Sequence, residues 1–491
     1  MNGSFINPTY FNLQKVTIRS EFSGVDGLDV TALIPRLSIT SSIDSETMFG
    51  VARVIDSVGL LSGVAGKEPL RAEEQIIFEI ADAKTINDNG GLENGSVADA
   101  YRFVGFIYKI DNIQTKEAND AVTYDIHFVS YQSFRANTYE IIRAFVDEKI
   151  SDIAKTAFTD YYGSQETLSY IPLKDRKKLF LEDTDGVYRC TVPRMRPDEI
   201  MSFLSKRAYS TSSPSCLFRF FESSRGFHFV TDEKLYRIAT DETDPDYSNK
   251  RSFAFTYLEN IPNTLEYFES QTNNLEIIEN NKRVNTFDDI FNGAYRNKVY
   301  ELDILSRRLN LLDDSNQYDY FKVRNKYDVQ KKNARQLQSL VDRHTTAFID
   351  AVHRSGENPQ KKWLVVQNYT EGERSGINEM QAETYYADII SNRQAYSKHI
   401  ESITVDAVGP GRLDITAGDI VDLAVQEFDF ADNSGTGGAF ADNKHLSGKY
   451  IVKSVTHGME RDTMKNTYVL IKRDWNQIDG QPLPSTTEDR R

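Results

Sequence analysis

Cysteine is nearly absent from this chain. Its two cysteines, Cys190 and Cys216, lie far apart with no C-x-x-C spacing, which excludes a disulfide framework and argues against a zinc site. Long apolar runs are missing as well, and nothing approaches the roughly 18 residues that a membrane-spanning helix requires. The opening MNGSFINPTYFNLQKV has no basic stretch followed by an apolar one, so no secretion signal is expected. We therefore expect synthesis in a cytoplasm and no membrane span. Positive charge is in deficit, with 58 Lys and Arg against 73 Asp and Glu, a formal net charge of −15. A chain so acidic is a poor candidate for gripping DNA through its phosphates.

Catalytic signatures are lacking too. There is no G-x-S-x-G elbow, no H-E-x-x-H and no G-x-x-x-x-G-K-[ST] phosphate loop. The seven histidines are His127, His228, His344, His353, His399, His445 and His457, and none has metal-ligand spacing from another on an expected helix. His127 and His228 alternate with aromatics in IHFV and FHFV, which reads as sheet. Acidic pairs such as Glu73–Glu74, Asp288–Asp289 and Asp313–Asp314 are what 73 acidic residues produce by chance. The loop ADNSGTGGAFADN at 431–443 lacks the terminal Glu of a calcium loop. The residues thus nominate no catalytic, cofactor-binding or metal site and no cofactor, and the chain is read as a non-enzyme.

What the sequence does have is length and aromatic strands. Its 491 residues exceed one compact core, and 39% hydrophobic with 27% charged residues suits folded domains. Aromatics reach 11%, with 26 Tyr and 28 Phe against two Trp, a balance that favours strands and interfaces. Residues 1–136 read as successive strands, from LQKVTIRSEF to VTYDIHFVSYQ, separated by Gly, Asn and Asp clusters. A mixed α/β middle domain is expected over 137–245. Ile141, Ile142, Phe145, Ile150 and Ile153 suggest a helix there, Pro197 opens a second, and CLFRFFES with GFHFVTD forms a hairpin. Segments 246–310 and 396–475 are assigned to a further β domain, 311–395 to a polar insertion with a helix near ETYYADIISNRQAYSKHI, and 476–491 to a flexible tail.

An internal echo connects the two ends. LRAEEQIIFEI, GFIYKIDNI and TYDIHFVSY near the start recur in character as ITAGDIVDLAV, GKYIVKSVTH and TYVLIKRD near the end. Glu74 to Gly105 spans 31 residues and Asp419 to Gly448 spans 29, while Gly105 to Tyr124 spans 19 and Gly448 to Tyr468 spans 20. The matched order argues for a duplicated β domain, with Gly105 over Gly448 and Tyr124 over Tyr468. Two meanders would look somewhat alike without common origin, and that reading stays open.

The C-terminal block AGDIVDLAV, LSGKYIVKSVTHGM and TYVLIKRDW resembles the closing domain of baseplate hub proteins of contractile-tailed, T-even-type bacteriophages. VPRMRPDEIMSFLSKRAYS followed by LFRFFESSRGFHFVTDEKL is similar to that family's central domain, and FNGAYRNKVYELDILSRRLN to the segment opening its second barrel. The family is related to tail-tube proteins and to the N-terminal domains of type VI secretion spikes. The resemblance implies a mainly β fold with an α+β middle domain and two tube-protein-like β-barrel domains related by internal duplication. It also implies a homotrimer at the tail baseplate, with six barrels joining the hexameric tail tube to the trimeric central spike. Tape-measure and baseplate-wedge proteins are further candidate partners, and DNA would pass through the channel without specific binding. Such a protein would act in genome ejection and reside in the virion after assembly in the host cytoplasm. A hub-associated cell-wall hydrolase and a carbohydrate-binding tail protein are the competing readings. If the trimer holds, Phe106 and Tyr108 on one face, Tyr101 and Phe103 on the other, and Tyr450, Val452 and Val455 are expected partly at subunit or tube contacts.

Overall fold

The structure is a computed structural model. It describes residues 7–235 apart from 21–26, 64–68, 90–96, 98, 117–120 and 212–215, then 252–257, 272–280, 287, 296–303, 308–311, 318–319, 360–366, 389, 393, 401, 403–428, 440–442 and 446–472. The fold is mainly β, with antiparallel ladders predominating.

The N-terminal unit contains β1 (Phe11–Arg19), β2 (Leu28–Asp29), β3 (Arg36–Ser42), β4 (Phe49–Asp56), β5 (Gln75–Asp82), β6 (Tyr101–Lys116) and β7 (Ala121–Ser130), with helix α1 (Ala83–Asp88) after β5. Hydrogen bonding orders them β3-β4-β7-β6-β5-β1-β2. Alternation turns one face of each long strand inward, so Val16, Leu37, Val54, Phe78, Phe103 and Phe128 meet in one core around which the sheet rolls. Phe78 and Phe128 rings lie 4.8 Å apart and Phe103 and Phe128 5.5 Å. Gly50 is required here, because a Cβ at that position would stand 2.3 Å from the Ser38 carbonyl and 2.4 Å from the Phe128 ring.

The middle domain begins with α2 (Tyr131–Ala136), β8 (Ile141–Lys149), α3 (Ile150–Ala157) and α4 (Gln165–Leu168). It continues with β9 (Lys178–Leu181), β10 (Val187–Met195), α5 (Pro197–Ser205), β11 (Phe218–Glu222) and β12 (Gly226–Thr231). The helix expected from Ile141 onward starts only at Ile150. Residues 141–149 pair instead with β10, burying Ile141 and Phe145 while Ile142 stays 76% exposed. A run of β-branched and aromatic residues with a strand waiting beside it follows the ladder rather than the helical spacing. Pro197 does open α5, at its first turn, where the missing N–H costs nothing. The expected hairpin forms as β11 and β12.

The C-terminal unit consists of β13 (Ser252–Tyr257), β14 (Ile277–Asn280), β19 (Ile403–Pro410), β20 (Ile420–Phe428), β22 (Gly448–Glu460) and β23 (Thr463–Lys472), with short β21 (Phe440–Asp442) beside β20. Its order is β14-β19-β23-β22-β20-β13 around a core of Phe255, Val405, Leu423, Tyr450, Val455 and Tyr468. Between β14 and β19 lie β15 (Arg296–Asp303), β16 (Arg308–Leu311), β17 (Tyr318–Asp319) and β18 (Gln360–Val366), a separate four-stranded sheet. The boundary drawn at residue 310 therefore falls inside a sheet: β15 and β16, which read from sequence as part of the second barrel, pair with strands of the insertion. Sequence could not assign them, because pairing partners of β15 lie as far away as Gln360. The helix expected near 383–400, the tail from 476, and His344, His353, His399 and His445 lie outside the described residues apart from single positions such as Ile389.

Strand for strand, β3, β4, β5, β6 and β7 stand in the same chain order and the same neighbour order as β14, β19, β20, β22 and β23, all antiparallel. The outer strands differ, since β1 runs antiparallel to β5 and β13 parallel to β20. Hydrogen bonds give the residue equivalence. Ile107 N–H donates to the Glu74 carbonyl and Val452 N–H to the Asp419 carbonyl. The Glu74 carboxylate accepts from Arg71 N–H, and the Asp419 carboxylate from Thr416 N–H. The pairs Arg71/Thr416, Glu74/Asp419 and Ile107/Val452 are separated by one constant interval. A bulge follows at once in each unit, at Tyr108 opposite Phe128 and His127, and at Lys453 opposite Leu470 and Val469. The expected anchors are thus two residues out: Gly105 corresponds to Tyr450, and Tyr468 to Ile126. Glycine and tyrosine identities misled because register follows ladder bonds and bulges, not residue type.

Candidate functional site: the joint between the two sheet units

The two units are joined edge to edge. β3 pairs with β22 from Ser454↔Ser42 to Glu460↔Arg36, making one continuous sheet of fourteen strands. β22 serves both units: Tyr450, Val452 and Val455 fill the C-terminal core, and Met459 fills the N-terminal one. The bulge at Lys453 reverses which parity faces inward, letting one strand cross from core to core.

Buried and half-buried polar groups tie the joint. Thr40 and Thr456 hydroxyls are 2.9 Å apart across the ladder. Asp82 caps α1 through Thr85 N–H at 2.8 Å and with its other oxygen accepts Leu413 N–H at 2.7 Å. Asp414 is gripped by Arg412 at 2.7 Å and Lys84 at 2.8 Å. Burial alone would raise its carboxyl, but hydrogen bonding to Arg412, the Arg412 charge and Lys84 together hold it down at about 2. His457 faces Asn466 at 3.0 Å, and burial pushes its imidazole below the ordinary value.

The β11–β12 hairpin wedges against both units. Fully buried Glu222 accepts Met48 N–H at 2.9 Å, the Thr47 hydroxyl at 3.2 Å, the Ser130 hydroxyl at 2.5 Å and Lys177 Nζ at 2.8 Å, which locks the N-terminal unit to the middle domain. At the hairpin turn Arg225 forks onto the Asp419 carboxylate at 3.0 and 3.2 Å and reaches the Asp414 carbonyl at 2.9 Å. Gly418, at φ +87°, lets the Phe221 ring approach to where a side chain would be. Arg219 completes the brace with Asp232, Asp44 and Glu401, two of which also meet Lys453. Three parts of the chain are fastened by ionic groups that sequence inspection left as unremarkable surface charge, because partners such as Arg225 and Asp419, or Lys84 and Asp414, are 194 and 330 residues apart and leave no local signal.

The aromatic residues expected at contacts are mostly spent within the chain. Phe103, Tyr450, Val452 and Val455 are buried in the two cores. Phe106 stacks on Phe134 of α2 at 3.8 Å, so a helix next to the sheet covers that face. Tyr108 alone of the set stays open, at 47% exposure. His127 hydrogen-bonds Asp111 at 2.9 Å, and His228 lies between the Phe180 and Phe221 rings with its Nε2 2.8 Å from the Ser223 hydroxyl, so both are sheet residues. Glu74 is buried at the start of β5, whereas Asp288–Asp289 and Asp313–Asp314 lie outside the described residues. Among the described residues no group of three or more His, Cys, Asp or Glu is placed to hold a metal ion, and no helix is long and apolar enough to cross a membrane.

No protein-family model and no curated protein sequence matches the chain. Solved structures are similar to it. A tail protein from Neisseria meningitidis MC58 is 9% identical, with 95% of this chain and 98% of that one covered at a TM-score of 0.47. The 43 kDa tail protein of prophage MuSo2 from Shewanella oneidensis is 10% identical, with 94% and 99% covered at 0.47. An E. coli component of the type VI secretion system, itself similar to T4 bacteriophage tail proteins, is 9% identical, with 96% and 80% covered at 0.39. The structural neighbours of this chain are phage tail and type VI secretion proteins.

Proposed function

We propose that the chain is the structural hub of a contractile phage tail baseplate, a homotrimeric adaptor between the hexameric tail tube and the trimeric central spike. The observation that carries the reading is the pair of strand-for-strand matched units fused edge to edge through β3 and β22. A chain with two equivalent units presents threefold symmetry as a trimer and approximate sixfold symmetry as a ring of units, which is what a three-to-six adaptor requires. Common origin of the units by duplication is part of this proposal, supported by the shared ladder bonds and bulges and qualified by the reversed β13. The tight polar joint supports it further, since an adaptor has to hold its two units at one fixed angle.

The acidic excess fits a channel that DNA crosses without adhering, like charge repelling phosphate over roughly 8 Å at physiological salt. Light scattering at micromolar concentration, followed by electron microscopy with added tube and spike proteins, tests the reading. A trimer with six-lobed rings that binds both is expected. A protein that remains monomeric with spike present, or that digests peptidoglycan on a zymogram, would overturn it.

A further inference from the structure

The inner joint has a counterpart with one side vacant. In the C-terminal unit, β22 pairs with β20 through its first residues, and beyond the bulge the same edge takes β3. In the N-terminal unit β6 likewise pairs with β5 through residues 101–106, and beyond its bulge at Tyr108 that edge, which carries a second register shift between Asp111 and Gln114, has no ladder among the described residues. Exposure follows the difference. Met459 and His457 on β22 are buried, whereas Ile113 on β6 is 57% exposed and Gln114 and Thr115 are exposed as well. At the other end of the fourteen-stranded path, β14 is the positional equivalent of β3. It pairs only with β19 among the described residues, and its Ile277 is 48% exposed.

We infer that β14 of one chain adds to the open edge of β6 in a second copy, repeating between chains the β3–β22 ladder found inside each. This rests on the hub reading and specifies its subunit contact. The equivalences fix the register. Ile126/Tyr468 leads across the ladders to Ala52/Ala407, both fully buried, and from there to Leu37/Ile278. Leu37 faces Met459, and Thr115 stands where Met459 does, since each lies opposite matched hairpin positions, Val122 and Met464. Ile278 therefore faces Thr115, Glu279 faces Gln114 and Ile277 faces Lys116, antiparallel. Backbone N–H and C=O groups on two exposed edges would pair, which is the usual way an open strand is completed. The contact is head to tail, each chain offering one edge of each kind, so it propagates until the ring closes.

Cysteines at the facing exposed positions test the register. Gln114→Cys and Glu279→Cys, introduced together in a Cys190→Ser background, should on mild oxidation give a covalent species of three chains and nothing larger. Each single variant alone should give no cross-link, and an equal mixture of the two should give dimers. Amides at 113–116 should also exchange at least about tenfold more slowly in the assembled protein than in dilute monomer. A trimer by light scattering that neither cross-links nor protects these amides overturns the strand pairing while leaving the hub reading standing. A species that stays monomeric at every concentration even with spike protein present overturns both, and an open ladder of ever larger products overturns ring closure.

Discussion

Removing the Glu222 carboxylate should loosen the middle domain from the N-terminal unit. The group is fully buried and receives four donors, among them Lys177 Nζ at 2.8 Å and Met48 N–H at 2.9 Å. In Glu222→Ala the Lys177 ammonium, 17% exposed, loses its counter-charge, and stripping one partner from a buried pair costs about 3–5 kcal/mol. The Met48 N–H is left without an acceptor, a penalty of about 1–3 kcal/mol. The two losses share one cavity and do not add fully. Lys177 can also lean toward water, so about 4 kcal/mol is the expected total, a large share of the roughly 5–15 kcal/mol that holds a typical domain. Glu222→Gln keeps one oxygen acceptor and should cost about half as much. Urea unfolding followed by far-ultraviolet circular dichroism measures this as a lower midpoint with an unchanged slope. Replacing the pair together, Glu222→Leu with Lys177→Met, should recover most of the loss, because no buried charge then stands alone. If Glu222→Ala unfolds within about 1 kcal/mol of the parent protein, the carboxylate does not fasten the joint and the reasoning fails.

Acid should open the joint in two steps. His457 is held neutral by burial, so stability present above pH 6.5 declines as pH falls through that value toward its lower folded one. Asp414 is depressed to about 2, so its contribution is complete above its ordinary 3.8 and is lost as pH falls from there toward 2. Thermal midpoints between pH 7 and 2 would record both, and Asp414→Asn should flatten the lower step. Gly50→Ala forces a methyl into the Ser38 carbonyl and the Phe128 ring, and about 1–3 kcal/mol of destabilisation is expected by calorimetry, with a neutral result refuting the close approach.

Local chemistry settled much of the architecture in advance. Alternating apolar and aromatic residues from Phe11 to Ser130 form the strands they suggested, and Pro197 opens a helix because its own φ and missing N–H suit a first turn. These properties belong to a few neighbouring residues and need no distant partner. The same local logic failed at Ile141–Lys149, where a helical spacing lies in a strand because β10 supplies a ladder some forty residues away. It failed again for Gly105 and Tyr124, whose counterparts were set by the ladder bonds of Ile107 to Glu74 and of Val452 to Asp419, which no residue type announces. The joint was invisible for the same reason. Glu222 looks like any charge on a hairpin until Met48, Ser130 and Lys177 converge on it, and β3 looks like any edge until β22 lies beside it. Propensity acts over a few residues and is written in the chain. Pairing, register and the burial of charge depend on what the fold brings alongside, and here tertiary structure alone decided how two similar sheets became one.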